Sequence, residues 1–170
     1  MIVLDTDILS CFSKIRKFDL LEKLFKAQFY IPPRVYEEIL RAKERGYDFV
    51  DYVIQLIDDG KIRIATLSET EVKIVRELAK KKKLGFGEIE AIALAKNRDW
   101  ILLSNDKVVE KVAREIGIDV FNIEDILSAM IEFEIIRNEI ELKGIIEEIE
   151  TKDRIVIRNR DFLFKKISKK

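Results

Sequence analysis

Ile2-Val3-Leu4-Asp5-Thr6-Asp7-Ile8-Leu9 opens the chain, and its reading decides the fold. Three apolar residues in a row read as a short strand buried on both faces, the kind found in parallel sheets. Asp5 ends that strand, and residues from Asp7 to about Ile15 have helical character. A strand that leads directly into a helix begins a β–α unit. The same pattern recurs downstream. A second helix spans about Asp19 to Ala27. Phe29-Tyr30-Ile31 is a short strand, and Pro33 opens a helix to about Glu44. Phe49, Val53, Leu56 and Ile57 share one helical face. Ile62-Arg63-Ile64 alternates as a strand. Ser68-Glu69-Thr70-Glu71 is a capping-box signature opening a helix to about Lys82. Gly85 and Gly87 bracket Phe86 in a loop before a helix from Glu88 to Asn97. Trp100 to Leu103 is a continuous apolar strand, Asp106 to Ile116 a helix, and Asp119 to Phe121 a last strand. Asn122 caps a helix beginning near Glu124.

Strands alternating with helices up to about Leu127 predict an α/β fold with a central parallel sheet covered on both faces. Beyond that point the character changes. Residues 128–150 read as helix rich in Ile and Glu, Ile155-Val156-Ile157 as a strand or a turn, and Phe162, Phe164 and Ile167 as one side of a last helix. No Pro/Gly linker intervenes. Residues 128–170 are therefore expected to form a helical C-terminal extension, packed on domain 1–127 or on a partner subunit.

Composition narrows the chemistry. Of 170 residues, 48% are hydrophobic, so the chain can build a core, and 38% are charged, well above the average of roughly 25%. Glutamine occurs only as Gln28 and Gln55 among many Lys, Glu, Arg and Ile, a bias like that of thermophile and archaeal proteins. Lys plus Arg and Asp plus Glu both number 32, so nucleic-acid binding would need a local basic patch. Histidine is absent and Cys11 is the single cysteine, which excludes a disulfide framework and Cys/His zinc sites. No apolar run approaches a membrane span. The chain is expected to be soluble and cytoplasmic.

Four acids then stand out: Asp5, Glu38, Glu88 and Asp106. Asp5 and Asp106 lie beyond the ends of apolar strands, where parallel sheets bind ligands. Each can also cap the next helix, and Ser104 or Asn105 could cap in place of Asp106. Glu38 sits at the edge of the stripe formed by Val35, Ile39 and Ala42, with an ion pair to Arg41 as the plain alternative. Glu88 is centred on the face of Ala91, Ile92 and Ala95, with Glu90 roughly opposite. Its plain alternative is to favour the helix N-terminus through the dipole. Clustered carboxylates repel unless a cation sits among them, and oxygen ligands suit Mg²⁺ or Mn²⁺.

These residues resemble the PIN-domain nucleases. The resemblance rests on Asp5-Thr6-Asp7-Ile8-Leu9 after the first strand, Pro33-x-Val35-x-x-Glu38-Ile39, Gly85-x-Gly87-Glu88-x-Glu90-Ala91-Ile92-Ala93-Leu94-Ala95, and Leu103-Ser104-Asn105-Asp106. It covers residues 1–127 and implies a three-layer α/β/α fold and metal-dependent RNA cleavage. Many members resemble VapC toxins of toxin–antitoxin pairs, so the likeness also implies an antitoxin protein partner and a homodimer. It assigns the acidic metal site to Asp5, Glu38, Glu88 and Asp106, and small hydroxyl roles to Thr6 and Ser104. Asp7 stands where Asn or Ser is usual, and Glu88 where Asp is commoner. Asp5, Glu88 and Asp106 are expected to touch the metal, and Glu38 to act through water or a neighbour. Lys82 and Lys83, from the run Lys80 to Lys83, are candidate phosphate contacts, or a solvated helix end.

Two other readings compete. Asp5-x-Asp7 also resembles the first motif of haloacid-dehalogenase-like phosphatases, although Leu9 stands where Thr or Val is typical there. The second rival is a dimeric binding module that keeps the fold without catalysis.

Overall fold

The computed structural model describes residues 1–81 and 83–169. Lys82, one of the candidate phosphate contacts, lies outside the described residues. The element order is β1 (Ile2–Leu4), α1 (Thr6–Lys14), α2 (Phe18–Phe25), β2 (Phe29–Ile31), α3 (Pro33–Glu44), α4 (Phe49–Asp58), β3 (Ile62–Ile64), α5 (Glu69–Lys81), α6 (Phe86–Arg98), β4 (Ile101–Leu103), α7 (Lys107–Glu115), β5 (Val120–Phe121), α8 (Ile123–Glu132), α9 (Glu139–Lys152) and α10 (Arg160–Ile167). The five strands pair in parallel in the order β3-β2-β1-β4-β5.

Strand period explains the layers. Successive side chains on β1 point to opposite faces, so Ile2 and Leu4 enter one core and Val3 the other. Likewise Leu103 joins the first core and Leu102 the second. The first is closed by α1, α2, α3, α4, α8, α9 and α10, the second by α6 and α7. The result is the expected three-layer α/β/α arrangement around a parallel sheet. Among the described residues, no helix is long and apolar enough to cross a membrane.

The strand order creates the site. From β1 the chain passes to β2 and β3 on one side, then crosses back to β4 on the other. The ends of β1 and β4 therefore meet where the order reverses, with Leu4 in register with Leu103. Crevices beyond the strands at such a reversal are where open α/β sheets bind ligands. The Asp5 N–H donates to the Leu103 carbonyl at 3.1 Å, which sets Asp5 beside Ser104.

Three local readings need correction. Phe86 and Gly87 belong to the first turn of α6, not to a loop, and Gly85 is the N-cap. The helix read through residues 128–150 is broken into α8 and α9. Glu134 takes a left-handed backbone (φ 57°) between them, and the Asn138 side chain accepts the Glu141 N–H at 2.9 Å to restart the helix. Glu90 is not turned away from the body of the protein: it is half-buried and accepts the Arg34 N–H at 2.9 Å. Among the described residues, the stretch Ile155 to Ile157 pairs with no strand.

Leu142, Ile145, Ile146 and Ile149 of α9 and Leu163 and Ile167 of α10 share the first core. α9 packs on α1, and α10 on α8 and α9. The C-terminal helices thus cover the back of α1, the helix that carries Thr6 and Asp7.

The capping box read at Ser68 does more than start α5. Glu71 is fully buried and accepts the Ser68 N–H at 2.7 Å, Arg98 Nε at 2.6 Å and Asn97 Nδ2 at 3.1 Å. Burial alone would raise this carboxyl, but the Arg98 hydrogen bond, then Ser68 and Asn97, outweigh it and hold it at about 2. Breaking such a pair strands its partner. Glu71→Ala is expected to cost about 3 kcal/mol, the lower end of the range for buried pairs because Arg98 keeps some solvent. Urea unfolding measures it, and a loss under about 1 kcal/mol would mean that water replaces the pair.

Candidate active site

Each acid is fixed by a local device that uses part of its carboxylate. Asp5 is 2% exposed, and as N-cap of α1 its Oδ1 accepts the Ile8 N–H at 2.9 Å. Asp106 caps α7, its Oδ1 accepting the Val108 and Val109 N–H groups at 2.6 and 3.0 Å. Glu88 occupies the third position of α6 and reaches back to accept the Gly85 N–H at 2.7 Å. Glu38 lies one turn inside α3, where its Oε2 accepts the Thr6 hydroxyl at 2.5 Å. Capping, the plain alternative in the sequence, is what Asp5, Glu88 and Asp106 do here. A cap needs one oxygen, and the other remains.

The hydroxyl residues tie these devices together. Ser104 is fully buried at the end of β4; its hydroxyl favours the charged Asp5 carboxylate, and its Oγ accepts the Asp106 N–H at 3.3 Å. Thr6 links the start of α1 to α3 through Glu38. Gly87 allows the close approach of α6 to α3. A Cβ at this position would lie 3.0 Å from Glu38 Oε1 and 3.3 Å from Val35 Cγ2. Asn105 is half-buried between Ser104 and Asp106, and Lys83 is exposed in the turn before Gly85.

The acids sense one another. Burial, then the charge of Asp7, raises the Asp5 carboxyl to about 7; the Ile8 N–H and Ser104 pull it down, and Glu88 pushes it up. The Glu88 carboxyl is also raised, first by burial and then, against the Gly85 N–H, by Asp106, Asp7 and Glu38. Asp7 is raised by partial desolvation, then by Asp153 and Asp106, with Lys14 opposing. Asp5, Asp7, Glu38, Glu88 and Asp106 therefore form one electrostatic cluster at the ends of β1 and β4.

This donor set is all oxygen and negatively charged, which fits a hard divalent cation. Such an ion would relieve both the burial of Asp5 and the mutual repulsion. Among the described residues, however, no three His, Cys, Asp or Glu side chains already close on a single point as ligands. The hydrogen bonds above explain this: one oxygen of Asp5, Glu38, Glu88 and Asp106 is turned toward a donor of the protein itself. A divalent ion would be held by the remaining oxygens of these groups.

One contributor was missed in the sequence. Asp153, at the end of α9, forms a short ion pair with Lys14 and helps to raise Asp7. It stands 139 residues from Lys14, and no local spacing announces it.

Known proteins share this architecture. A family model described as a PIN domain, DUF3368, matches residues 1–168. Endoribonuclease Nob1 of Methanocaldococcus jannaschii is 32% identical over 97 residues, or 56% of this chain and 46% of that protein. The chain thus matches about half the length of this curated relative. A PilT N-terminus domain protein from Sulfolobus solfataricus superposes with TM-score 0.54 at 20% identity, over 75% of this chain and 91% of that one. A domain of a functionally unknown protein from Methanocaldococcus jannaschii gives 0.50 at 20% identity, over 72% and 89%. At this identity the two structures speak for the fold alone.

Proposed function

The chain belongs to the PIN-domain family, and from that premise we propose that it is a divalent-metal-dependent endoribonuclease hydrolysing RNA phosphodiester bonds. The observation that carries this reading is the electrostatic coupling of Asp5, Asp7, Glu38, Glu88 and Asp106 beside the reversal between β1 and β4, with Asp5 buried and raised to about 7. The likeness to an endoribonuclease supports RNA as substrate.

In this reading Asp5, Glu88 and Asp106 hold Mg²⁺ or Mn²⁺ through their free oxygens, and Glu38 acts through Thr6 or a water. When bound, such an ion lowers the pKa of its water and stabilises charge on phosphoryl oxygens. The protein's own groups do the positioning. Ser104 orients Asp5, the Thr6 hydroxyl orients Glu38, and the Gly85 N–H orients Glu88. With no histidine in the chain, no imidazole serves as general base. Asp7 and Asn105 serve as auxiliary groups, and the exposed Lys83 is a candidate phosphate contact to RNA. Residues 1–127 carry this chemistry, and residues 128–170 back α1. Family membership extends the proposal to a cytoplasmic homodimer, and to an antitoxin partner if the enzyme serves as a toxin.

The test is cleavage of labelled single-stranded RNA with Mn²⁺, Mg²⁺ or EDTA. Cutting that needs the ion is expected. No cutting, together with no heat of Mn²⁺ binding in calorimetry, would leave the non-catalytic binding module.

Gly87→Ala probes the positioning. Its methyl group would crowd the Glu38 carboxylate, which accepts the Thr6 hydroxyl, and make it give way slightly. Turnover is expected to fall, by less than the roughly 100-fold that a misplacement of about 1 Å costs, while alanine within a helix changes stability by only about 1 kcal/mol. Normal cleavage by a well-folded Gly87→Ala protein would remove Glu38 from the machinery.

A further inference from the structure

An open cleft of about 610 Å³ lies on the flank of the domain, between the end of α1, the turn joining α3 to α4, and the end of α9. Four cations line it, Lys14 and Arg16 from the first helix end and Lys152 and Arg154 from the last, against two acids, Asp48 and Asp153. An excess of two positive charges in one cleft stands out on a chain with zero net charge.

Lys14 pairs with Asp153, and Lys152 with Glu148 at 2.8 Å. Each sits in the last turn of its helix, where a cation offsets the helix dipole. Arg16 and Arg154 are not needed for that. Both are exposed, and among the described residues neither has an acidic partner. Both also adopt left-handed backbone, φ 54° and 60°. Glycine ends a helix in this conformation without strain, yet arginine stands there twice.

Tyr47 is 54% exposed at the rim of the cleft, its ring tilted against Phe49 at 6.1 Å. The Arg16 guanidinium lies over the Tyr52 ring at 5.6 Å, and an open aromatic face beside guanidinium groups without acidic partners is the composition of grooves that hold single-stranded nucleic acid. Two residues that line the cleft also act on the acidic cluster. Asp153, which lines it, is close enough to Asp7 to raise that carboxyl, and Lys14 is close enough to lower it.

We propose that this cleft is a subsite for single-stranded RNA, in which Arg16 and Arg154 hold phosphates and Tyr47 stacks on a base. The C-terminal helix α9 thereby takes part in substrate binding. The inference rests on the nuclease reading for its choice of RNA, but its test does not depend on turnover.

Fluorescence anisotropy of a labelled single-stranded RNA, with Asp5→Asn protein to prevent cutting, reads the cleft directly. Adding Arg16→Glu with Arg154→Glu is expected to weaken binding by roughly tenfold or more and to make the salt dependence shallower by about 1.4 in log–log slope, two phosphate contacts at about 0.7 each. Tyr47→Ala is expected to weaken binding roughly tenfold. In the active protein the paired arginine variant should raise KM for long RNA and leave kcat unchanged. Unchanged binding and KM would overturn the cleft while wild-type cleavage still upheld the nuclease. Cleft-dependent RNA binding by a protein that cuts no RNA would do the reverse. Binding of polyglutamate in place of RNA would assign the cleft to an acidic polypeptide and overturn the proposal.

Discussion

Asp5→Asn and Glu88→Gln are each expected to reduce metal-dependent RNA cleavage by more than about 100-fold while leaving the fold intact. Removing a group that merely supports a metal ligand costs 10- to 100-fold as a rule, so losing a ligand's charge should exceed about 100-fold. Both substitutions keep the shape of the side chain. Asparagine at position 5 still offers an oxygen to the Ile8 N–H, and it is among the best helix N-caps. Glutamine at position 88 still accepts the Gly85 N–H and keeps the capping box. Only negative charge at the ends of β1 and β4 is lost. Because the acids act as a unit, the double variant should be little worse than either single one. A variant that retains a tenth or more of wild-type cleavage, with a normal circular dichroism spectrum, would move the chemistry elsewhere.

The acids were legible because strand ends are legible. Ile2 to Leu4 and Ile101 to Leu103 are unbroken apolar runs, and a polar residue that ends such a run lies at the sheet's edge whatever the rest of the chain does. Glu38 was legible through its place beside the Val35–Ile39 stripe. What local sequence hides is contact between distant segments. Gly85 and Gly87 read as a loop because glycine disfavours helices. Gly87 lies in α6 where a Cβ would crowd Glu38 and Val35 of α3. Glu90 read as outward, but it meets the N-terminus of α3, which periodicity within one helix cannot foresee. The break between α8 and α9 carries no glycine or proline. It is made by Glu134 in a left-handed turn and by Asn138 as a cap, and only Asn138 is a recognisable signal. Asp153 depends wholly on α9 folding back onto α1.

The metal-free protein is expected to melt at a lower temperature at pH 8 than at pH 5.5, and Mn²⁺ is expected to restore most of the loss. The Asp5 carboxyl has an ordinary value of 3.8 and stands at about 7 in the fold. Between those values the native state holds a proton that the unfolded chain has released. The stability from the neutral carboxyl is complete below about pH 4 and is lost as pH rises through 7. Spread over that interval, the loss is on the order of 4 kcal/mol. Asp7 and Glu88, also raised, act in the same direction. Glu71 acts in the opposite one: its carboxyl is held at about 2, so its contribution is present above 4.5 and fades as pH falls below that. Stability should therefore peak near pH 4, where the two opposing slopes cancel. A divalent ion at pH 8 takes the place of the lost protons, and at a hundredfold excess over its dissociation constant it stabilises by about 2.7 kcal/mol. Asp5→Asn should flatten the fall between pH 5.5 and 8 and abolish most of the response to Mn²⁺, giving a metal-free protein more stable than wild type at pH 8. Equal wild-type melting temperatures at the two pH values in EDTA would mean that Asp5 stays charged in the fold, already neutralised by a neighbour. A pH-dependent fall that Mn²⁺ does not reverse would mean that the carboxylates repel one another without forming a metal site.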